Sequence, residues 1–156
     1  MKHNKILLSA ILLIISLNTY ASDELYNWKF IKNTEIKELT FKNKNPSIDE
    51  DSLREIISSK FVSEFCSKES EVLNHMVKDI EADCKISKIY GLHKTGLSVD
   101  AICLQDDDIT KMNLILNIKN KDLISGLALG NSTTEDFNVK TISNIRVEKS
   151  GSCLEN

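Results

Sequence analysis

Proline and glycine are scarce in this chain: Pro46 stands alone, and five glycines are spread over 156 residues. That poverty leaves no Gly/Ser or proline-rich linker and no low-complexity tract, and no internal repeat is visible. Chemical signatures are missing as well. No C-x-x-C pair occurs, which argues against a thioredoxin-like redox centre or a zinc ribbon. H-E-x-x-H, G-x-S-x-G and G-x-x-x-x-G-K-[ST] are also absent, so zincin, hydrolase-elbow and phosphate-loop chemistry have no handle here. Basic residues are in deficit, 20 against 23 acidic, which gives no electrostatic case for nucleic acid or an anionic membrane surface.

One long hydrophobic run is present, at the N-terminus. Basic Met1–Lys5 precedes apolar Ile6–Leu17, and Thr19-Tyr20-Ala21 fits a small-x-small cleavage site. Residues 1–21 are therefore expected to be a cleaved secretory signal, leaving residues 22–156 as one periplasmic domain. The run is shorter than the roughly 20 residues that span a bilayer, so no membrane span is expected after cleavage. Cys66 is the first cysteine, too distant from the run for a lipoprotein. Cleavage removes Lys2 and Lys5, and the mature net charge becomes −5.

An exported chain meets an oxidising compartment, so Cys66, Cys84, Cys103 and Cys153 are expected in two disulfides rather than in a thiolate metal site. Four cysteines allow three connectivities. The stretch from Cys84 to Cys103 reads as two short strands around a Gly91–Gly96 turn. If the turn centres between His93 and Lys94, antiparallel pairing sets Tyr90 against Leu97, Ile86 against Ala101 and Cys84 against Cys103. Directly opposed residues lie within disulfide reach. That pairing would leave Cys66 to Cys153.

Elsewhere, Leu25–Phe30 and Glu35–Lys42 read as two strands joined by an Asn33-Thr34 turn. Tyr26, Trp28 and Phe30 share one face, as a core face or an aromatic ligand platform. A helix is expected from Ile48 to Ser58 behind a Ser47/Glu50 capping box. Lys60–Cys66 is open between strand and helix. A second helix is expected over Ser67–Asp79, capped by Ser67, with Glu69 and Glu71 in its first turn and Val72, Leu73, Met76, Val77 and Ile80 buried. Strands follow at Met112–Ile118, with one apolar and one mixed face, at Leu123–Leu129 and at Ser143–Lys149. Gly126 signals a bulge or a close backbone approach. Gly130–Glu135 has the composition of an anion cradle, and Ser132/Glu135 equally fits the cap of a helical turn over Thr133–Val139. Asp106–Asp108 reads as a solvated hairpin tip, since the ligand alternation of a calcium loop is missing. His75 and His93 have nothing to bring them together. No catalytic, cofactor-binding or metal-binding residue is assigned, no cofactor is expected, and the chain is read as non-enzymatic.

Asn27-Trp28-Lys29, Cys66-Ser67-Lys68-Glu69, Cys84-Lys85-Ile86-Ser87, Val99-Asp100-Ala101-Ile102-Cys103 and Gly151-Ser152-Cys153 follow one another in an order that resembles domain-of-unknown-function family 3617, small exported bacterial proteins. The Lys121-Asp122 turn leading to Ser125-Gly126 resembles that family's D-x-x-x-G hairpin. Tyr26-Asn27-Trp28-Lys29 departs from its Gly-Leu-Trp-Glu opening, and Ile48–Phe65 replaces its Met- and Pro-rich segment. The resemblance implies a mostly antiparallel β domain with disulfides and no activity.

The fold expected is α+β and mainly antiparallel β, a disulfide-stapled sheet with one or two helices packed on it. Two roles suit such a chain: a periplasmic domain binding a small apolar ligand or an envelope component, or an inhibitor or immunity protein against a cell-wall-degrading toxin. In the second, the acidic Asp106–Asp108 tip would meet the partner.

Overall fold

The computed structural model describes residues 24–43, 48–93 and 95–153, without the side chains of Leu92 and His93. The expected leader, Pro46, the Ser47 cap and Lys94 lie outside the described residues. Within them the strands are β1 (Leu25–Phe41), β2 (Lys60–Lys68), β3 (Cys84–His93), β4 (Gly96–Gln105), β5 (Asp108–Asn120), β6 (Leu123–Thr133) and β7 (Phe137–Ser152). Two helices, α1 (Glu50–Ile57) and α2 (Val72–Asp83), flank β2. All pairings are antiparallel, in the order β2-β1-β7-β6-β5-β4-β3.

β3 to β7 form a plain meander of two- and three-residue turns. Asp106 takes the left-handed conformation (φ 52°) that aspartate tolerates at such a tip. Asn120 Oδ1 accepts from the Asp122 N–H at 2.9 Å in the next turn. The β6–β7 connection is a threonine turn, not the helical turn that Ser132/Glu135 spacing allows. Thr134 Oγ1 accepts from the N–H groups of Asp136 and Phe137 at 3.2 and 3.1 Å, and strand runs through Thr133.

β1 corrects the first expectation. It is one strand of 17 residues rather than two with a turn at Asn33-Thr34. β7 pairs along almost its whole length, from Tyr26↔Ser152 to Phe41↔Phe137, and the Thr34 hydroxyl lies 2.8 Å from that of buried Ser143. Continuous pairing overrides a local turn signal. β2 settles Lys60–Cys66 as strand, set against β1 from Asn33 to Leu25.

Both helix starts also shift. α1 is capped by Asp49, whose carboxylate accepts from the Ser52 N–H (2.9 Å) and hydroxyl (2.7 Å). Those bonds hold the Asp49 pKa below its ordinary value. α2 begins at Val72 and not at Ser67, because Ser67 belongs to β2, where its carbonyl accepts the Trp28 indole N–H at 3.1 Å. Glu69 and Glu71 therefore precede the helix. The expected stripe holds: Val72, Leu73, Met76 and Val77 are buried, and Ile80 packs against the core. They cover one sheet face through Trp28, Leu97, Val99, Leu114, Leu116, Ile124 and Val147. Gly126 sits in that face because any Cβ there would lie 1.9 Å from the Ile115 carbonyl oxygen.

β2 and β3 are the two edges of the sheet, so α2 carries the chain across its full width. A disulfide pins each end of that crossing. Cys66 bonds Cys153 with a Cα separation of 6.0 Å, and Cys84, where α2 ends, bonds Cys103 at 4.0 Å. Cys84↔Cys103 and Ile86↔Ala101 keep the expected register, but Tyr90 faces Ser98 instead of Leu97. Bulges at Ser87 and near Gly91 (φ 58°) each add a residue to β3.

Lys149 ties four segments together. Its ammonium lies 2.9 Å from Glu69 and 3.2 Å from Asp122, and 3.9 Å and 5.5 Å from the ring centroids of Tyr26 and Trp28. Partial burial works to lower its pKa, but the hydrogen bonds and charges of Glu69 and Asp122 outweigh it and hold the ammonium above the ordinary 10.5. A cation with a raised folded-state pKa stabilises fully below its unfolded value and loses that contribution as pH climbs through the folded one. Lys149→Met should thus cost about 1–3 kcal/mol at neutral pH. The gap to the parent protein should narrow above pH 10.5. Urea unfolding of both proteins at neutral and strongly alkaline pH checks this; an unchanged gap would assign the loss to packing alone.

Candidate functional site

Successive side chains on a strand alternate between faces, and residues paired across strands share one. The helix-covered face takes Val99, Leu114, Ala128 and Ser143 as one such row. The next residue along each strand points the other way, and there the chain keeps apolar side chains that no other described element covers. Ile115 and Leu127 pair directly and are each 45% exposed; Leu129, at 47%, pairs with Ile142. Ile102, Leu104 and Ile109 extend the strip on β4 and β5. A half-solvated antiparallel sheet ordinarily alternates apolar inside with polar outside. This one breaks the rule on its outer face.

An open groove of about 630 Å³ crosses that face over β7, β6, β5 and β4, reaching Lys37 on β1 and Ser87 on β3. Two rows of paired residues make its floor. One is Ile142, Leu129, Asn113 and Asp100; the other is Lys140, Asn131, Lys111 and Ile102. The β3 bulge at Ser87 matters here, since it turns Tyr90 onto the same face. Asp100 Oδ2 accepts from the Tyr90 hydroxyl at 3.1 Å, and Oδ1 accepts from Asn113 Nδ2 at 2.6 Å. On the far side Lys140 reaches Glu38 at 2.7 Å, and Lys37, carried outward by a bulge between Ile36 and Glu38, reaches Glu35 at 2.7 Å. Lys37 and its hydrogen bond hold the Glu35 carboxyl below the usual range. Lys111 is exposed and has no carboxylate partner among the described residues.

Chemically the lining offers apolar surface, three ammonium groups, two side-chain amides and one carboxylate. The Ser87 hydroxyl, at the groove's edge, donates to the main-chain oxygen of Asp100 at 3.0 Å and not to its carboxylate. Among the described residues no histidine lines the groove. His75 lies on α2, across the sheet, with its ring stacked on Phe65 (centroids 4.4 Å apart) and Nε2 3.6 Å from Asp79. The His93 side chain is outside the described residues.

Tyr26, Trp28 and Phe30 form core rather than platform: Trp28 is 1% exposed, and the other two pack around it. Asp106 and Asp107 form the exposed tip between β4 and β5, and among the described residues no three His, Cys, Asp or Glu side chains converge to hold a metal. Of the Gly130–Glu135 stretch, Gly130 and Asn131 do reach the groove, as strand residues and not as a cradle. The sequence reading missed Lys37, Lys111, Lys140, Leu129 and Ile142. The signal for them was the mixed face of β5, which β6 and β7 continue. Comparison of the chain with family models, curated proteins and solved structures found no match.

Proposed function

We propose that this chain is an exported, non-enzymatic binding domain of the periplasm that holds a small ligand with an apolar body, or an envelope component, on the uncovered sheet face. The observation that carries the reading is the strip of Ile115, Leu127 and Leu129 left exposed, with half-buried Ile142 paired to Leu129, at a groove of about 630 Å³. Pockets of that size take a single small ligand, and exposed apolar patches on one face mark binding sites. The leader-like residues 1–21 and the two disulfides support export. The resemblance of its motif order to domain-of-unknown-function family 3617 supports the same compartment.

Native mass spectrometry of the mature chain, isolated gently from its own extract, tests the reading. A stoichiometric small adduct is expected, and Leu129→Gln with Leu127→Gln should reduce its occupancy at least tenfold, about 1.4 kcal/mol. A bare chain that also takes up no alkyl probe would overturn the reading. A heterocomplex in place of the adduct, lost on charge reversal at Asp106–Asp108, would establish the inhibitor role instead.

A further inference from the structure

Resting on that reading, we infer that the groove takes a single-chain amphiphile with an anionic head. The head would lie over the row Lys140, Asn131 and Lys111, with the hydrocarbon chain along Leu129, Ile142 and Leu127. Neighbouring strands stand about 4.8 Å apart, so the two lysine backbones flank Asn131 at roughly 10 Å from each other. Each ammonium rides on a flexible four-carbon stem and can swing inward, while the Asn131 amide offers N–H donors between them.

The charges that line the groove favour an anionic over a cationic occupant. Lys37, Lys111 and Lys140 line the groove, against one lining carboxylate. That carboxylate, Asp100, is already engaged by Tyr90 and Asn113. Lys140 donates to Glu38, whose side chain is 63% exposed, and such solvated pairs exchange readily for a better-placed anion. Lys111 has no carboxylate partner among the described residues to give up. The chain direction follows from register. Moving along β6 from Asn131 through Leu129 to Leu127, each step of two residues stays on the uncovered face, and β5 supplies Ile115 beside Leu127.

Calorimetric titration of the mature chain with dodecyl phosphate, dodecyl maltoside and dodecyltrimethylammonium, each below its micelle concentration, tests the inference. Dodecyl phosphate should bind at least tenfold tighter than the other two, with an affinity that falls as salt is raised. Lys111→Gln with Lys140→Gln should remove that preference, bringing dodecyl phosphate down to the affinity of dodecyl maltoside for the same variant. Both lysines are exposed, and unaltered circular dichroism would verify the fold of the variant. Equal binding of the three probes, or a preference that survives the double variant, overturns the anionic assignment and leaves the apolar groove standing. Binding of none of them overturns the binding reading, and the inference falls with it.

Discussion

Replacing Cys66 and Cys153 together by alanine should lower stability by about 4–5 kcal/mol, whereas the Cys84/Cys103 double replacement should cost about 3 kcal/mol. The difference follows from the span each bond closes in the unfolded chain, 87 residues against 19. The native geometry points the same way. Cys66 lies on edge strand β2, whose only neighbour in the sheet is β1, while Cys153 follows β7 and donates its N–H to Leu25 at 3.0 Å. The long bridge therefore fastens an edge strand to the end of a strand it does not pair with. The short one joins residues that the β3–β4 ladder already sets opposite each other. Urea midpoints of the two double variants and of the parent, with and without reductant, decide the matter. A costlier Cys84/Cys103 loss would refute the loop-length argument for this chain.

Trp28→Ala should be the most damaging single substitution, at about 4–6 kcal/mol, adding a truncated aromatic core residue to a stranded carbonyl. Trp28 is 1% exposed at the point where β1, β2, α2 and β7 meet. Phe65 and Lys149 stand opposite it on the two neighbouring strands. Its indole N–H satisfies the carbonyl of Ser67, the last β2 residue but one before the chain turns towards α2. Alanine would empty the centre of this cluster and remove the floor beneath Lys149. Trp28→Phe keeps most of the ring and loses the hydrogen bond, so it should fall between the parent and Trp28→Ala. Because Trp28 is the only tryptophan, unfolding must be followed by far-ultraviolet circular dichroism. Equal losses for phenylalanine and alanine would show that the Ser67 bond, and not the cavity, sets the effect.

Local pattern made some of this structure legible and hid the rest. The Cys84–Cys103 pairing was readable from parity near the bridge, and it holds because two departures cancel. The turn lies one residue later than expected, with His93 paired to Gly96, and the two β3 bulges take up the difference. The apolar stripe of α2 was readable from its period, but its start was not, because the partners of Ser67 and Glu69 are Trp28 and Lys149 on distant strands. β1 misled for the same reason: Asn33 and Thr34 look like a turn until β7 is placed beside them. The groove is an arrangement of four strands. β5 alone showed a mixed face, and only the register of β4 to β7 turns scattered lysines and leucines into adjoining rows.

The order of strands in space also sets a timetable. β3 to β7 can pair as each successive strand is made, and Cys103 follows Cys84 closely enough for their bridge to close early. β1 is completed first among the strands, yet one of its sides must wait for β7, so Tyr26 can meet Ser67 of β2 early but Ser152 only at the end. Throughout that interval Cys66 has no correct partner, while Cys84 and Cys103 are both within reach of a wrong one. The order in which these thiols oxidise thus decides between the native ladder and a scrambled chain. Early closure of the β3–β4 bridge protects the outcome, by leaving Cys153 as the one thiol Cys66 can meet.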